Sequence, residues 1–574
     1  MAVARTTDHR AEGKWAQRGL WVVPATAALA AGSTFLARGA AIYPMDDAHI
    51  HFQYARVLAA TGRLEFNPGE RLGIGTTSPL WVWVLALGES ASAPSVVLAR
   101  VLGLASLVTC ATLVALLARP TLSGSPTGGH WPAAMLGALV GVSGNVVWFS
   151  LSGVETTAFL AAGLGAFWSY GRGRWLGAAT CAACAALLRP GGLAVPLVLA
   201  GLEAWRARGT RALRPAVWGA IAASVLPVVA WLLYVHQRTG QWLPTTLAGK
   251  AVYHADIMRY FMASHPALAL FTGSRQVMYF VLWGIYVLLY VFGGATLPGP
   301  GFTVAGDVGE SVGIRCSWVG LAVGVLLMLP LVGLGARRLI AWLRGSLRPL
   351  DPGALGVWLW AGLHNIAYLI VLPGPGTATR YQAINHVMIW WLIVLGIQGL
   401  ARGKRTAAAA VLLTCCVAAS GAAYWRSVYA ANLDHMTRAP IAAARLISAT
   451  LGREENVAAY DIGALRYYGD HDVVDLGGLT DAAFPAYQRA GRVPDYMRDR
   501  GASYVVLPGR HSGDSTDLFS FAAYLGLDRT PLFDLEPLAV FETDRAVWAR
   551  GEQATGNYQP SVRAYYVRWR QAPQ

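Results

Sequence analysis

The stretch "YPMDDAHIHFQYAR", residues 43–56, decides how the rest of the chain is read. It follows the first long apolar run, at 20–40, and sets two adjacent carboxylates, Asp46 and Asp47, where a helix leaves a bilayer. Ionisable groups at a membrane boundary are costly and are functional candidates by default. Helix capping accounts for one of them: after Pro44, Asp46 can accept from the orphan N–H groups of a helix that begins there. It does not account for the second. In a helix over 47–61, Ile50, Tyr54, Val57, Leu58 and Thr61 line one side, while Asp47 and His51 fall four residues apart on another. A helix of this kind lies in the interface plane and carries its carboxylates to the mouth of a bundle.

The membrane setting rests on composition. Of the 574 residues, 55% are hydrophobic and only 13% charged, with a mean hydropathy of +0.42; soluble proteins carry about 25% charged residues. Apolar runs at 20–40, 78–90, 95–118, 132–150, 155–171, 174–189, 191–204, 215–236, 276–297, 316–336, 353–372, 383–401 and 406–425 predict a polytopic α-helical membrane protein. Several runs are short, so roughly 11–13 transmembrane segments or half-crossings are expected. The net charge of +15 collects in runs such as "RARGTRALR" (206–214), Arg337-Arg338 and "RGKR" (402–405). Between apolar segments these are cytoplasmic topology determinants, and a nucleic-acid partner is excluded. The basic tail 1–19 is then cytoplasmic, and the loop 41–78 is outside. Parity fails between 206–214 and 337–348, where three runs stand in place of an even number. Broken segments at membrane depth are tolerated where they line a protein-walled cavity.

After residue 430 the composition changes. "NVAAY", "DVVDLGG" and "ASYVVLP" read as short buried strands, with a helix at 481–490. Residues 430–574 are therefore expected to form a small extracytoplasmic α/β domain behind a transmembrane domain at 20–429. Inverted-repeat transporter folds are disfavoured, since no internal repeat is evident. Cys181 and Cys184 form a C-x-x-C, but inside the small-residue helical run "AATCAACAALL", which does not suit redox or zinc chemistry.

The loop and several later stretches resemble a known group. "DDAHIHFQYARVLAATGRLEFNPGERLGIGTTSPLW" is similar to the first external loop of GT-C membrane glycosyltransferases, the cell-wall arabinofuranosyltransferases in particular. Further echoes are "SGVETTAF" (152–159), "LLRPGG" (187–192), "LPTTLAGK" (243–250), "TATRY" (377–381) and "YDIGALRYYGDHDVVDLGGLTD" (460–481). The chain departs from the pattern at His49, where the group has an aromatic, at Gly191, where it has an acid, and at Thr245, where it has Asn.

The resemblance implies inverting transfer of a sugar (arabinofuranose, mannose or similar) from a polyprenyl-phosphate donor to an extracytoplasmic glycan, lipid or protein acceptor. That reaction needs a base for the acceptor hydroxyl. Asp46 aligns with the first loop acid and is the expected base. Asp47 is expected to orient the acceptor, tune its neighbour or bind a cation. The candidate substrate-binding residues are His51, Glu155, Arg189, Lys250, Arg380 and Tyr381, with the cations serving the departing phosphate. No cofactor is assigned from the sequence, and a divalent cation (Mg²⁺, Mn²⁺ or Ca²⁺) on Asp46 and Asp47 stays open. The alternatives are a transporter or flippase of a lipid-linked substrate, or an inactive glycan-binding scaffold. Ala-, Gly- and Arg-rich usage fits a GC-rich bacterial genome, and so a bacterial plasma membrane.

Overall fold

The computed structural model describes residues 3–39, 41–70, 72–122, 130–210, 214–247, 249–250, 301–304, 314–345, 351–371, 377–400, 403–452, 454–512, 520–547 and 559–570. The expected span at 276–297 lies outside them. The membrane body runs α1 (Val3–Leu36), α2 (Asp46–Thr61), α3 (Pro79–Ser90), α4 (Ser95–Leu122), α5 (His130–Val142), α6 (Gly144–Leu151), α7 (Thr156–Gly171), α8 (Trp175–Leu188), α9 (Ala194–Thr210) and α10 (Pro215–Thr239). A short antiparallel pair, β1 (Gly301–Val304) and β2 (Ile314–Ser317), precedes α11 (Trp318–Leu343), which carries a π-helical stretch at Gly324–Met328. Then come α12 (Pro352–Val371), α13 (Ala383–Gly399) and α14 (Lys404–Arg438).

Among the described residues, six helices are long and apolar enough to cross a membrane, or seven if the bent α5–α6 pair is one span. The other segments expected among the described residues are α3, α7, α8, α9 and α13, helices of 12 to 17 residues. At 1.5 Å per residue they reach roughly 18–26 Å, short of a 30 Å hydrocarbon core. Helices α7 and α13 are largely buried inside protein rather than facing lipid. The 56° bend between α5 and α6 is at Ser143, whose hydroxyl donates to Asn145 Oδ1 at 2.9 Å. Asn145 Oδ1 also accepts the Val146 N–H at 3.2 Å, and the Asn145 amide reaches the His386 ring at 2.9 Å, so the break is bridged within protein. Close backbone approach holds α11 to α13, where a Cβ on Gly335 or Gly396 would collide with the Leu392 or Leu331 carbonyl.

Helix α14 continues past residue 429, and α15 (Pro440–Thr450) links it to a five-stranded sheet. Its strands β3 (Asn456–Ala459), β4 (Val473–Asp475), β5 (Ala502–Gly509), β6 (Phe533–Glu542) and β7 (Ser561–Trp569) lie in the order β4-β3-β5-β7-β6. Strand β3 pairs parallel with both β4 and β5, while β7 runs antiparallel between β5 and β6. The first three strands stand where "NVAAY", "DVVDLGG" and "ASYVVLP" were expected. Helices α16 (Gly463–Tyr468), α17 (Phe484–Arg489) and α18 (Val493–Asp499) complete the layer, with Leu476, Phe484, Tyr496, Val505 and Val567 in its core.

Helix α2 is covered by protein on both sides. It is wedged between the membrane body and the C-terminal domain, with Ala48, His49, Ile50, Phe52, Gln53, Tyr54, Ala55 and Val57 all buried. The loop after it is bolted to both sides. Glu65 accepts from Gly69 N–H at 2.9 Å and from Arg238 at 3.2 Å. The Asn67 side chain takes Val473 N–H at 3.2 Å and donates to the Val473 carbonyl at 3.1 Å, which covers the open edge of β4.

Candidate active site

The first turn of α2 starts without a side-chain cap: Met45 is extended at φ −148° and caps nothing, and Gly62, in the left-handed region at φ +70°, ends the helix. Asp46 and Asp47 thus occupy consecutive helical positions, turned about 100° from one another. Their side chains go to different places.

Asp47 lines a cavity of about 210 Å³ between α2, the loop at 75–78, the start of α7, the α8–α9 junction, Thr246, Leu247 and Lys250, and the turn at 380–381. His51, Glu155, Arg189, Lys250, Arg380 and Tyr381 line the same cavity. Seven of the eight residues nominated from sequence therefore converge, from five separate stretches of chain. The eighth, Asp46, does not line it. Asp46 is 5% exposed, and its two oxygens accept the N–H groups of Gly463 (2.8 Å) and Ala464 (2.6 Å) in the C-terminal domain. Capping of its own helix is not what it does.

Charges in the cavity are paired but not cancelled. Arg189 Nε donates to Glu155 Oε1 at 2.7 Å, and its Nη1 donates to the Arg380 carbonyl at 2.9 Å. His51 Nε2 lies 3.6 Å from the other Glu155 oxygen. The Arg380 guanidinium pairs with Asp47. Lys250 Nζ donates to the Tyr381 hydroxyl at 3.1 Å. Three permanent cations thus face two carboxylates, leaving one net positive charge for an anion.

These neighbours set the protonation states. Burial pushes the Asp47 carboxyl up, but Arg380 and Lys250 outweigh it and hold the group well below the usual carboxylate range. Asp46 is raised to about 6 by burial, against the two amides that favour its charged form. Burial keeps His51 below its ordinary value, hence neutral. For Tyr381, burial is overcome by Lys250, Arg380 and Arg189, which bring the phenol down to about 7.

Several residues of the site were not singled out from sequence. Ser78 stands at the N-cap position of α3 before Pro79, yet its buried hydroxyl has no partner and lines the cavity. Thr245 accepts Ile74 N–H at 3.2 Å, and Thr246 donates to the Leu479 carbonyl at 3.1 Å, so "LPTT" ties the external loop to the C-terminal domain. Leu479 of that domain reaches the cavity wall. Asp461 is raised well above the usual carboxylate range by burial and by the charges of Asp46 and Asp47. His49 occupies the expected aromatic slot among Phe52, Tyr467 and Tyr468, with ring centroids 5.3–5.8 Å away. Asn67 and Asp461 both lie in quoted motifs, but nothing local distinguishes a docking residue from a catalytic one.

A divalent cation on the two acids does not fit this arrangement. Both Asp46 oxygens are taken by amides and Asp47 by a guanidinium, and among the described residues no three His, Cys, Asp or Glu side chains form a metal-holding group.

Comparison with known proteins bears on the fold. Residues 426–559 match a family described as a domain of unknown function (DUF8728). No curated protein sequence matches the chain. Among solved structures, the Archaeoglobus fulgidus oligosaccharyltransferase AglB, in complex with an inhibitory peptide and a dolichol-phosphate, superposes with a TM-score of 0.51 at 12% identity, over 84% of this chain and 69% of AglB. A second AglB structure, with Zn and sulfate, gives 0.51 at 12% identity, over 84% and 68%. ArnT from Cupriavidus metallidurans, bound to undecaprenyl phosphate, gives 0.40 at 14% identity, over 95% of this chain and 97% of ArnT. The chain is a multi-pass helical protein with a GT-C-like fold and a small C-terminal sheet domain.

Proposed function

We propose that this chain is a membrane glycosyltransferase that moves a sugar from a polyprenyl-phosphate donor to an extracytoplasmic acceptor with inversion. The observation that carries this reading is the cavity itself, where one loop carboxylate and three cations converge. AglB, whose structure holds a dolichol-phosphate, supports a lipid-phosphate donor. Leu479 of the C-terminal domain helps wall the cavity, and the distribution of basic loops favours an outside location for that domain. Both points support an active site on the outer face of a bacterial plasma membrane.

Asp47 is the base. It accepts the proton from the acceptor hydroxyl as that oxygen bonds to the anomeric carbon, from the face opposite the leaving group. The bond from that carbon to phosphate oxygen breaks, and the polyprenyl phosphate departs with the electron pair. Arg189, Lys250 and Arg380 stabilise the charge that develops there, in a site largely walled by protein. While paired to Arg380, Asp47 is a weak base. A donor phosphate that draws the Arg380 guanidinium to itself raises the proton affinity of Asp47, so base strength and donor binding rise together. The unpartnered Ser78 hydroxyl offers a hydrogen bond to a sugar or acceptor hydroxyl.

The test is direct. The purified full chain in lipid nanodiscs, given polyprenyl-phospho-sugars and glycan acceptors, forms a glycosidic product, and Asp47→Asn lowers turnover at least ~10³-fold at unchanged melting temperature. Uptake of a lipid-linked sugar into vesicles with no covalent product overturns the reading.

A further inference from the structure

We infer that Asp46 is a positioning residue: it caps helix α16 of the C-terminal domain in trans and so locks that domain against the turn that carries Asp47. The inference rests on the transferase reading only for its consequence; the clamp stands on geometry.

The first N–H groups of any helix have no partner within it, and a Ser, Thr, Asp or Asn at the N-cap usually supplies one. Helix α16 has Ile462 at that position, and Ile462 offers no acceptor. Asp46 supplies both acceptors from more than 400 residues away, its two oxygens taking Gly463 and Ala464 N–H. The fit is close: a Cβ on Gly463 would collide with the Asp46 carbonyl oxygen and approach Oδ2 to 2.8 Å. Glycine is needed there because the backbone of one domain rests on the backbone of the other. Charge-assisted bonds to buried N–H groups are among the stronger hydrogen bonds a protein makes.

The clamp does not act alone. Arg56 donates to the Tyr467 carbonyl at 3.0 Å, at the far end of the same short helix. Arg466 donates to Asn67 at 3.0 Å, and Thr246 to Leu479 at 3.1 Å. Of these contacts, the one made by Asp46 adjoins the cavity carboxylate in sequence. Motion of α16 is therefore felt at Asp47 through a single peptide unit. Asp46 acts on the reaction through Asp47, and the C-terminal domain is part of the catalytic assembly.

Hydrogen–deuterium exchange of the full chain in nanodiscs reads the clamp, on peptides that report the Gly463 and Ala464 amides. Asn offers one carbonyl acceptor in place of two charged oxygens, so Asp46→Asn speeds exchange at these amides roughly 10- to 100-fold, the scale of losing a charge-assisted bond. Turnover falls by a similar factor, the profile above neutral pH keeps its shape, and Asp46→Glu restores part of both the protection and the turnover. Asp47→Asn leaves the exchange at 463–464 as in the wild type while turnover is lost. If Asp46→Asn does not fold, Gly463→Ala gives the same exchange signature from the other side of the contact. Unchanged exchange at 463–464 in Asp46→Asn or Gly463→Ala overturns the clamp, whether or not the protein transfers sugar. Turnover lost in Asp46→Asn as fully as in Asp47→Asn, with protection intact, makes Asp46 the reacting group and overturns the positioning role.

Discussion

Two buried glutamates stand at opposite ends of α7 and show how alike a site and a strut can look. Glu155, at the N-cap position, meets Arg189 and His51 at the cavity. About 24 Å away along the helix, Tyr170 in its last turn reaches Glu203 of α9 at 3.3 Å, and Glu203 also holds Arg206 and Arg214. Both clusters pair arginines with a carboxylate that water does not reach. They differ in what is left over. Around Glu155 two more cations, Lys250 and Arg380, face open volume beside an ionisable phenol. Around Glu203 both guanidinium groups are bonded to the one carboxylate, and Arg214 also lies over the Trp175 ring at 4.2 Å. Buried Arg–Glu pairing is common to both ends; the surplus positive charge beside open volume is found at the Glu155 end.

The comparison breaks first at the arginines. Arg380→Gln removes a cation from the cavity and is expected to lower turnover about 10²–10³-fold, as loss of a charge-stabilising donor does elsewhere. Arg214→Gln, at the other end of the same helix, is expected to leave turnover unchanged. A radiolabelled product assay on the two purified variants checks both. Equal losses would make the Glu203 cluster part of the catalytic apparatus.

Next in size is a change in stability without a change in chemistry. Glu203→Gln removes the charge that two arginines share, and those arginines are a quarter to a third exposed, so water recovers part of the loss. The expected cost is about 1–3 kcal/mol, read as a lower melting temperature in detergent, with turnover per folded molecule retained. Glu155→Gln destabilises as well and also impairs turnover, because Arg189 then loses the partner that aims it.

Much of this was legible in the chain before folding. Asp47, His51, Glu155 and the scattered Arg, Lys and Tyr of the later motifs carry chemistry that residue type and order reveal, and they meet in one cavity. The different partners of Asp46 and Asp47 were not legible. Their partners come from Ala464 and Arg380, hundreds of residues off, and a helical turn sends neighbouring side chains about 100° apart. The strand signal fared likewise. β3, β4 and β5 are apolar runs bounded by turn residues, whereas β6, "FDLEPLAVFE", interrupts its pattern with acids and a proline, and β7, "SVRAYYVRW", with arginines. Both strands carry exposed positions along their length, so composition does not flag them. Hydropathy does not separate full spans from shorter segments, because helices buried in protein need be neither long nor clean.

The smallest effect separates the two ends of α7 by spectroscopy. Tyr381 lies beside Lys250, with Arg189 and Arg380 each 5.3 Å from its ring, whereas Tyr170 faces a carboxylate. The Tyr381 phenol, brought down to about 7, is neutral below that pH and a phenolate above it. An ultraviolet difference titration therefore shows a tyrosinate band emerging near neutrality with the amplitude of one residue among 23 tyrosines. Tyr381→Phe removes the step, and Lys250→Gln moves it upward by roughly 1–2 units, because an opposite charge that favoured the phenolate is gone. An anionic donor among the same cations opposes the phenolate, so its binding takes up a proton. The sign is set by that uptake: donor affinity rises as pH falls through about 7 and weakens above it. A titration in which no tyrosinate appears below pH 9, with donor affinity flat across neutrality, would show that the cavity's surplus charge is already neutralised in the resting protein, and the two ends of α7 would then be electrostatically equivalent.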